Sequence, residues 1–228
     1  MNSPQPALPL IPFLDQHVSR SLQEDILVRC LIKGYADSAV KCLESYSTEQ
    51  AHDLRPQMRR ADIEQLLRGL PGRHSDVIAV PEINVSNNAW HVRLTSGRIT
   101  LTVSAVDGPE NVVREAVFRR NLARRYQMGF SGDGWESPTP IRPTTTDDDL
   151  VYGLVIHGPA KHDTVQRFPA FVHIVFPVED CTTYYIDRLD LLARFREHPV
   201  IKEVIGQEEV PDDLDLRIRD LPKEKDDA

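Results

Sequence analysis

The residues of this chain best suited to chemistry are histidines set beside arginines. His91 and Arg93 alternate with apolar side chains in AWHVRLTSGRITLTVSAV. His157, Lys161, His162 and Arg167 fall within VIHGPAKHDTVQRFPAFVHIVFP, which also carries His173. Cleaving RNA without a metal requires a base near the 2′-hydroxyl, an acid for the leaving oxygen, and cations for the charge that builds on phosphorus. Histidine serves the first two roles near neutral pH and arginine the third. His91, Arg93, His157 and His162 are therefore the candidate catalytic residues. His173, between Val172 and Ile174, is expected to be a core histidine bonded to backbone or to a carboxylate. Both stretches also have a plain reading. Arg, Thr and His suit a solvated sheet face, and GPAKHDTVQRF suits a solvated hairpin tip.

Residues 52–132 hold twelve basic side chains, all of them arginine, against eight acidic ones. Arg98, Arg114, Arg119, Arg120, Arg124 and Arg125 are candidate nucleic-acid-binding residues, because clustered arginine is a footprint for a phosphate backbone. Residues 133–228 reverse the balance, with eleven basic and 21 acidic residues, and the whole chain carries −8. That acidic segment is a rival dock for the arginines, within the fold or in a homodimer, and a surface for a basic protein partner. Arg119 falls inside the apolar stripe of its own helix and needs a counterion there, with Asp187 or Asp190 in view.

Other chemistries find little support. No HxH, HxxxH or HExxH occurs, so no metal is expected. If the second hairpin closes symmetrically, His157 faces Pro169 and Gly153 faces His173. The two histidines then share one face about 13 Å apart, too far for one ion. Asp76 and Glu82 have no ExK on a following strand. The chain lacks GxSxG, GxGxxG and GxxxxGK[ST], so no serine nucleophile and no nucleotide cofactor is expected. Cys30, Cys42 and Cys181 form no CxxC pair, which points to a reducing cytoplasm. No apolar run reaches membrane-spanning length, and no membrane association is expected.

These side chains must be held by surrounding elements. Residues 1–16, MNSPQPALPLIPFLDQ, lack a signal-peptide pattern and read as an extended, proline-rich arm. Residues 13–70 read as helices, with Ser19 or Ser21 as an N-cap and Pro71-Gly72 as the final stop. The alternation from Trp90 to Val103 predicts a hairpin turning at Ser96-Gly97. Leu94 then faces Ile99, and Trp90, Val92 and Leu94 lie on the apolar face. A helix is expected from Asp107, its Phe118–Leu122–Tyr126 stripe toward the sheet. Residues 129–149 read as a long loop anchored by Trp135. Residues 150–177 read as a second hairpin covered on both faces, and residues 181–198 as a helix.

The expected fold class is α+β: an N-terminal helical segment, then a mainly antiparallel sheet of two hairpins packed with helices. The expected organisation is an arm and helical segment over 1–72, an α+β domain over 73–207 and an acidic tail over 208–228. The expected function is prokaryotic and cytosolic: action on RNA or DNA as a metal-independent ribonuclease of toxin or defence type. The alternative is a non-enzymatic immunity, antitoxin or defence-complex subunit that binds a basic partner through its acidic C-terminal half.

Overall fold

The structure is a computed structural model that describes residues 10–84, 89–127, 150–159, 165–178 and 181–208. The chain divides into two compact units, Met1–Arg194 and Phe195–Ala228. The first is an α+β unit, in which helices α1 (Leu10–His17), α2 (Arg20–Asp25), α3 (Lys33–Ser45) and α4 (Thr48–Arg68) precede a sheet. A π-helical stretch, Ile26–Ile32, joins α2 to α3. Ser19 caps α2 by accepting from the Leu22 N–H, and Ser47 caps α4 by accepting from the Gln50 N–H. The apolar arm is already helical from Leu10, because Leu10 and Leu14 bury fully on one face. The described part of the second unit contains helix α7 (Pro199–Glu208).

The sheet has six described strands in chain order: β1 (Val77–Asn84), β2 (Ala89–Ser96), β3 (Ile99–Ala105), β4 (Val151–Pro159), β5 (Pro169–Pro177) and β6 (Tyr184–Asp190). All pairings are antiparallel except β3 with β4. Two of these strands depart from the sequence reading. β1 holds Pro81 but lies at the sheet edge, where proline's missing donor costs no ladder bond. β6 replaces most of the helix expected over 181–198, since Thr183, Tyr184, Tyr185 and Ile186 are β-branched or aromatic. Only Leu191–Arg194, α6, is helical there. The helix expected from Asp107 begins at Val117 and runs to Gln127, as α5.

β2 and β3 turn through Gly97 and Arg98, one residue later than expected, so Ser96 faces Ile99 and Leu94 faces Leu101. Gly97 carries the turn at φ +52° against His17, where a side chain would collide with the imidazole. A slip of one residue on each strand keeps every side chain on its expected face. The pairing of β2 with β3 stops at Leu94–Leu101, while β2 continues beside β1 to Ala89. A gap therefore opens between the far halves of β2 and β3. Trp90, expected on the apolar face, stands beside this gap and is 60% exposed.

β4 and β5 are buried on both faces, as their continuous apolar runs imply. One face packs Tyr152, Leu154, Ile156 and Val175 against Leu122 and Ala123 of α5. Thr100 and Thr102, expected on a solvated face, lie under this cover and are fully buried. Thr102 shares a 2.7 Å hydrogen bond with the Tyr152 hydroxyl. A register shift at Gly158–Pro159 breaks the symmetric closure expected for this hairpin. Ile156 faces His173 and His157 faces Val172, so the two histidines point to opposite faces.

Candidate functional site

The gap between β2 and β3 is the mouth of a cleft of about 340 Å³. α4 supplies Arg59, Arg60 and Glu64 to the cleft, the last two one helical turn apart. His91 comes from β2, Ser104 from the unpaired edge of β3, and His157 from β4. Arg114, Phe118 and Arg119 close the cleft from the start of α5 and the segment before it. His91 and His157 belong to opposite sheet faces, yet both reach the cleft because it passes through the break in the sheet.

His91 is 4% exposed and stacks on Phe118, ring centroids 3.9 Å apart and planes 24° from parallel. Neither of its ring nitrogens has a hydrogen-bond partner. Glu82 approaches Nε2 to 3.5 Å without bonding it, its other oxygen being held at 2.8 Å by Arg93. Burial lowers the His91 pKa below the ordinary histidine value, and the Arg119 and Arg60 charges lower it further against the opposing pull of Glu82. The balance favours the neutral imidazole, with Nδ1 unbonded and Nε2 beside Glu82.

Glu64 accepts the backbone N–H of Val92, which ties α4 to β2 directly beside His91. Burial raises its carboxyl to about 7, against the opposing pull of that N–H and of Arg60 and Arg119. A neutral base beside a carboxylic acid that titrates near neutrality is the pairing that general acid–base chemistry uses. Arg119 donates to the Arg114 carbonyl at 2.7 Å and to the Ser104 hydroxyl at 2.6 Å. Its Nε is buried without a partner, and no carboxylate among the described residues forms an ion pair with it. The counterions expected for it are engaged elsewhere. Asp187 accepts the Leu10 N–H, and Asp190 lies 3.7 Å from His173. Arg60 donates to the Trp90 carbonyl from an exposed position.

His157, a catalytic candidate from the sequence, is buried in the wall of the cleft. It is 4% exposed, with Nδ1 sharing a 2.9 Å hydrogen bond with Tyr35, and burial beside Arg59 pushes its pKa down to about 3. Arg59 stacks over the Tyr35 ring at 4.3 Å and donates to Gln166 Oε1 at 3.0 Å. His173 is the buried histidine expected, its Nε2 toward Asp190.

Of the residues singled out from sequence, His91, His157, Arg114 and Arg119 converge in the cleft. Arg93 does not line it and is held by Glu82. Arg98 sits 5.7 Å over the Phe13 ring. Arg120 pairs with Glu115. Arg124 and Arg125 are exposed on α5 away from the cleft lining. His162, Lys161 and Trp135 lie outside the described residues. Sequence reasoning missed Arg59, Arg60 and Glu64. Their signal was present as charged residues at one-turn spacing on a helix, but only the sheet packed beneath α4 shows which way they face. Among the described residues no three metal-ligating side chains cluster, and no helix is long and apolar enough to cross a membrane. No protein-family model, curated protein or solved structure matches this chain.

Proposed function

We propose that the cleft binds a phosphate ester of RNA and that the chain cleaves it without a metal, with His91 as base and Glu64 as acid. The observation that carries this reading is the gathering of His91, Glu64, Arg60, Arg114 and Arg119 around one cleft, in whose wall His91 Nδ1 and Arg119 Nε are buried without a hydrogen-bond partner. Buried polar groups are nearly always bonded, so a cleft walled by charged and unbonded groups is where a ligand would complete the bonding. Arg60, Arg114 and Arg119 surround that space with positive charge.

In this mechanism neutral His91 takes the proton of a 2′-hydroxyl, and the oxygen attacks phosphorus. The 5′-oxygen leaves with the Glu64 proton, giving a 2′,3′-cyclic phosphate and a free 5′-hydroxyl. Arg119 and Arg60 stabilise the dianionic phosphorane. His157, neutral and held by Tyr35, shapes the wall and is too weak a base to take part. The setting in this reading is the cytoplasm, where the free thiols of Cys30, Cys42 and Cys181 persist. The binding-protein alternative rests on the charge of the acidic C-terminal half, of which residues 209–228 lie outside the described residues.

The test is cleavage of end-labelled single-stranded RNA and DNA with and without EDTA. Wild type should cut RNA in EDTA and spare DNA, which lacks the 2′-hydroxyl. His91→Ala and Glu64→Gln should each lower the rate by at least about a hundredfold, the contribution of one acid–base group. Unchanged cleavage in His91→Ala would refute the assignment.

A further inference from the structure

A second depression adjoins the cleft and is lined by Arg60, Glu64, Arg68, Pro81, Trp90 and Val92, among others. Arg60, Glu64 and His91 line both spaces, so the two form one groove running from the sheet gap outward between α4 and β2. Trp90 stands in the outer part, 60% exposed, with its backbone carbonyl fixed by Arg60. Arg60 and Arg68 are exposed and lie two turns apart on α4. A large exposed aromatic in a groove that two arginines also line has no role in the core. It matches the way single-stranded nucleic acid is held, with bases stacked on aromatic faces and phosphates tracked by arginine.

We infer that this outer groove is a subsite for the nucleotide next to the scissile phosphate of a single-stranded RNA. Trp90 is the platform for its unpaired base, and Arg60 and Arg68 hold the flanking phosphate. The inference rests on the reading of the cleft as a phosphate site. It adds that the substrate is single-stranded and at least two nucleotides long. The cleft has the volume of a small ligand, at the low end for binding pockets, and takes one nucleotide. A paired base would present its edge, not its face, and a duplex would not enter between α4 and β2.

The experiment uses the full chain and probes that the proposed mechanism leaves intact: a fluorescein-labelled single-stranded DNA hexamer, the same hexamer annealed to its complement, uridine 3′-monophosphate, and heparin. Hexamer affinity is read by anisotropy. Trp90 engagement is read as the difference in tryptophan quenching between wild type and Trp90→Phe. The single-stranded hexamer should quench, and the duplex and heparin should not. Trp90→Ala should weaken the hexamer by roughly fivefold to a hundredfold, the range for losing one base–aromatic stack. Trp90→Phe should keep most of the affinity, and the monophosphate should bind wild type and Trp90→Ala alike. Equal hexamer affinity in wild type and Trp90→Ala, with loss in Arg119→Met, overturns the subsite and leaves the cleft standing. Equal quenching by heparin also overturns it, since charge alone would then suffice. Monophosphate and hexamer that both fail to bind wild type overturn the cleft reading itself.

Discussion

Glu64→Gln separates the electrostatics of the cleft from its chemistry. The carboxyl moves from an ordinary 4.5 to about 7 in the folded chain, chiefly through burial. Between those values the folded state holds a proton that the unfolded state has released, so the Glu64 contribution to stability declines as pH rises from about 4.5 to about 7. At about 1.4 kcal/mol per pKa unit, the full shift amounts to about 3 kcal/mol. Glutamine keeps an oxygen for the Val92 N–H and carries no charge at any pH. Its stability relative to wild type should therefore be close to zero at pH 4.5 and reach about 3 kcal/mol in favour of the variant at pH 8. Urea unfolding at half-unit pH steps measures this difference directly. His91, lowered by burial, has the opposite sign, losing stability as pH falls below its unfolded value. Both proteins carry it, so it largely cancels in the difference. A difference flat between pH 4.5 and 8, or one favouring wild type at pH 8, would refute the burial argument whatever the protein binds.

The same titrations set the pH dependence of cleavage. The rate should fall on the acid side as His91 gains a proton below the ordinary histidine range, and on the alkaline side as Glu64 ionises near 7. Initial rates from pH 5 to 9 should trace a narrow bell, and Glu64→Gln should remove its alkaline limb. Arg119→Met removes a half-buried cation that has no carboxylate partner among the described residues. Its stability by urea unfolding should stay within about 1 kcal/mol of wild type, while hexamer affinity drops at least about tenfold. Gly158→Ala places a methyl against the Val106 carbonyl oxygen and 2.7 Å from the Phe171 ring. It should cost about 2 kcal/mol or more, read as a lower denaturation midpoint with unchanged slope.

How far the residues alone could reach is clear from particular cases. The helix-then-sheet order followed from the change from 3.6- to 2-residue periodicity near residue 76, and the faces of β2 and β3 from their alternation. β1 escaped notice because it is an edge strand whose Ile78 and Ile83 stay exposed, leaving no alternation to read. β6 escaped because Ile186, Leu189 and Leu192 also fit helical spacing, and its pairing with β5 is a long-range contact that spacing cannot express. At the site, histidines and arginines drew attention by type. Their grouping depended on three non-local facts: where β2 leaves β3, which way α4 faces, and a bulge at Gly158–Pro159. Those facts separated Arg119 from Arg93 and turned His157 inward.

The break between β2 and β3 has a mechanical meaning as well. The β1–β2 hairpin is joined to β3 by three residue pairs beside the Gly97–Arg98 turn, and beyond them it is held by α4 and by the stacking of His91 on Phe118 of α5. An anion gripped by His91 of β2 on one side of the gap and by Arg119 on the other would act as a splice, replacing the missing rungs of the ladder. Filling the cleft would stiffen the sheet without adding a strand.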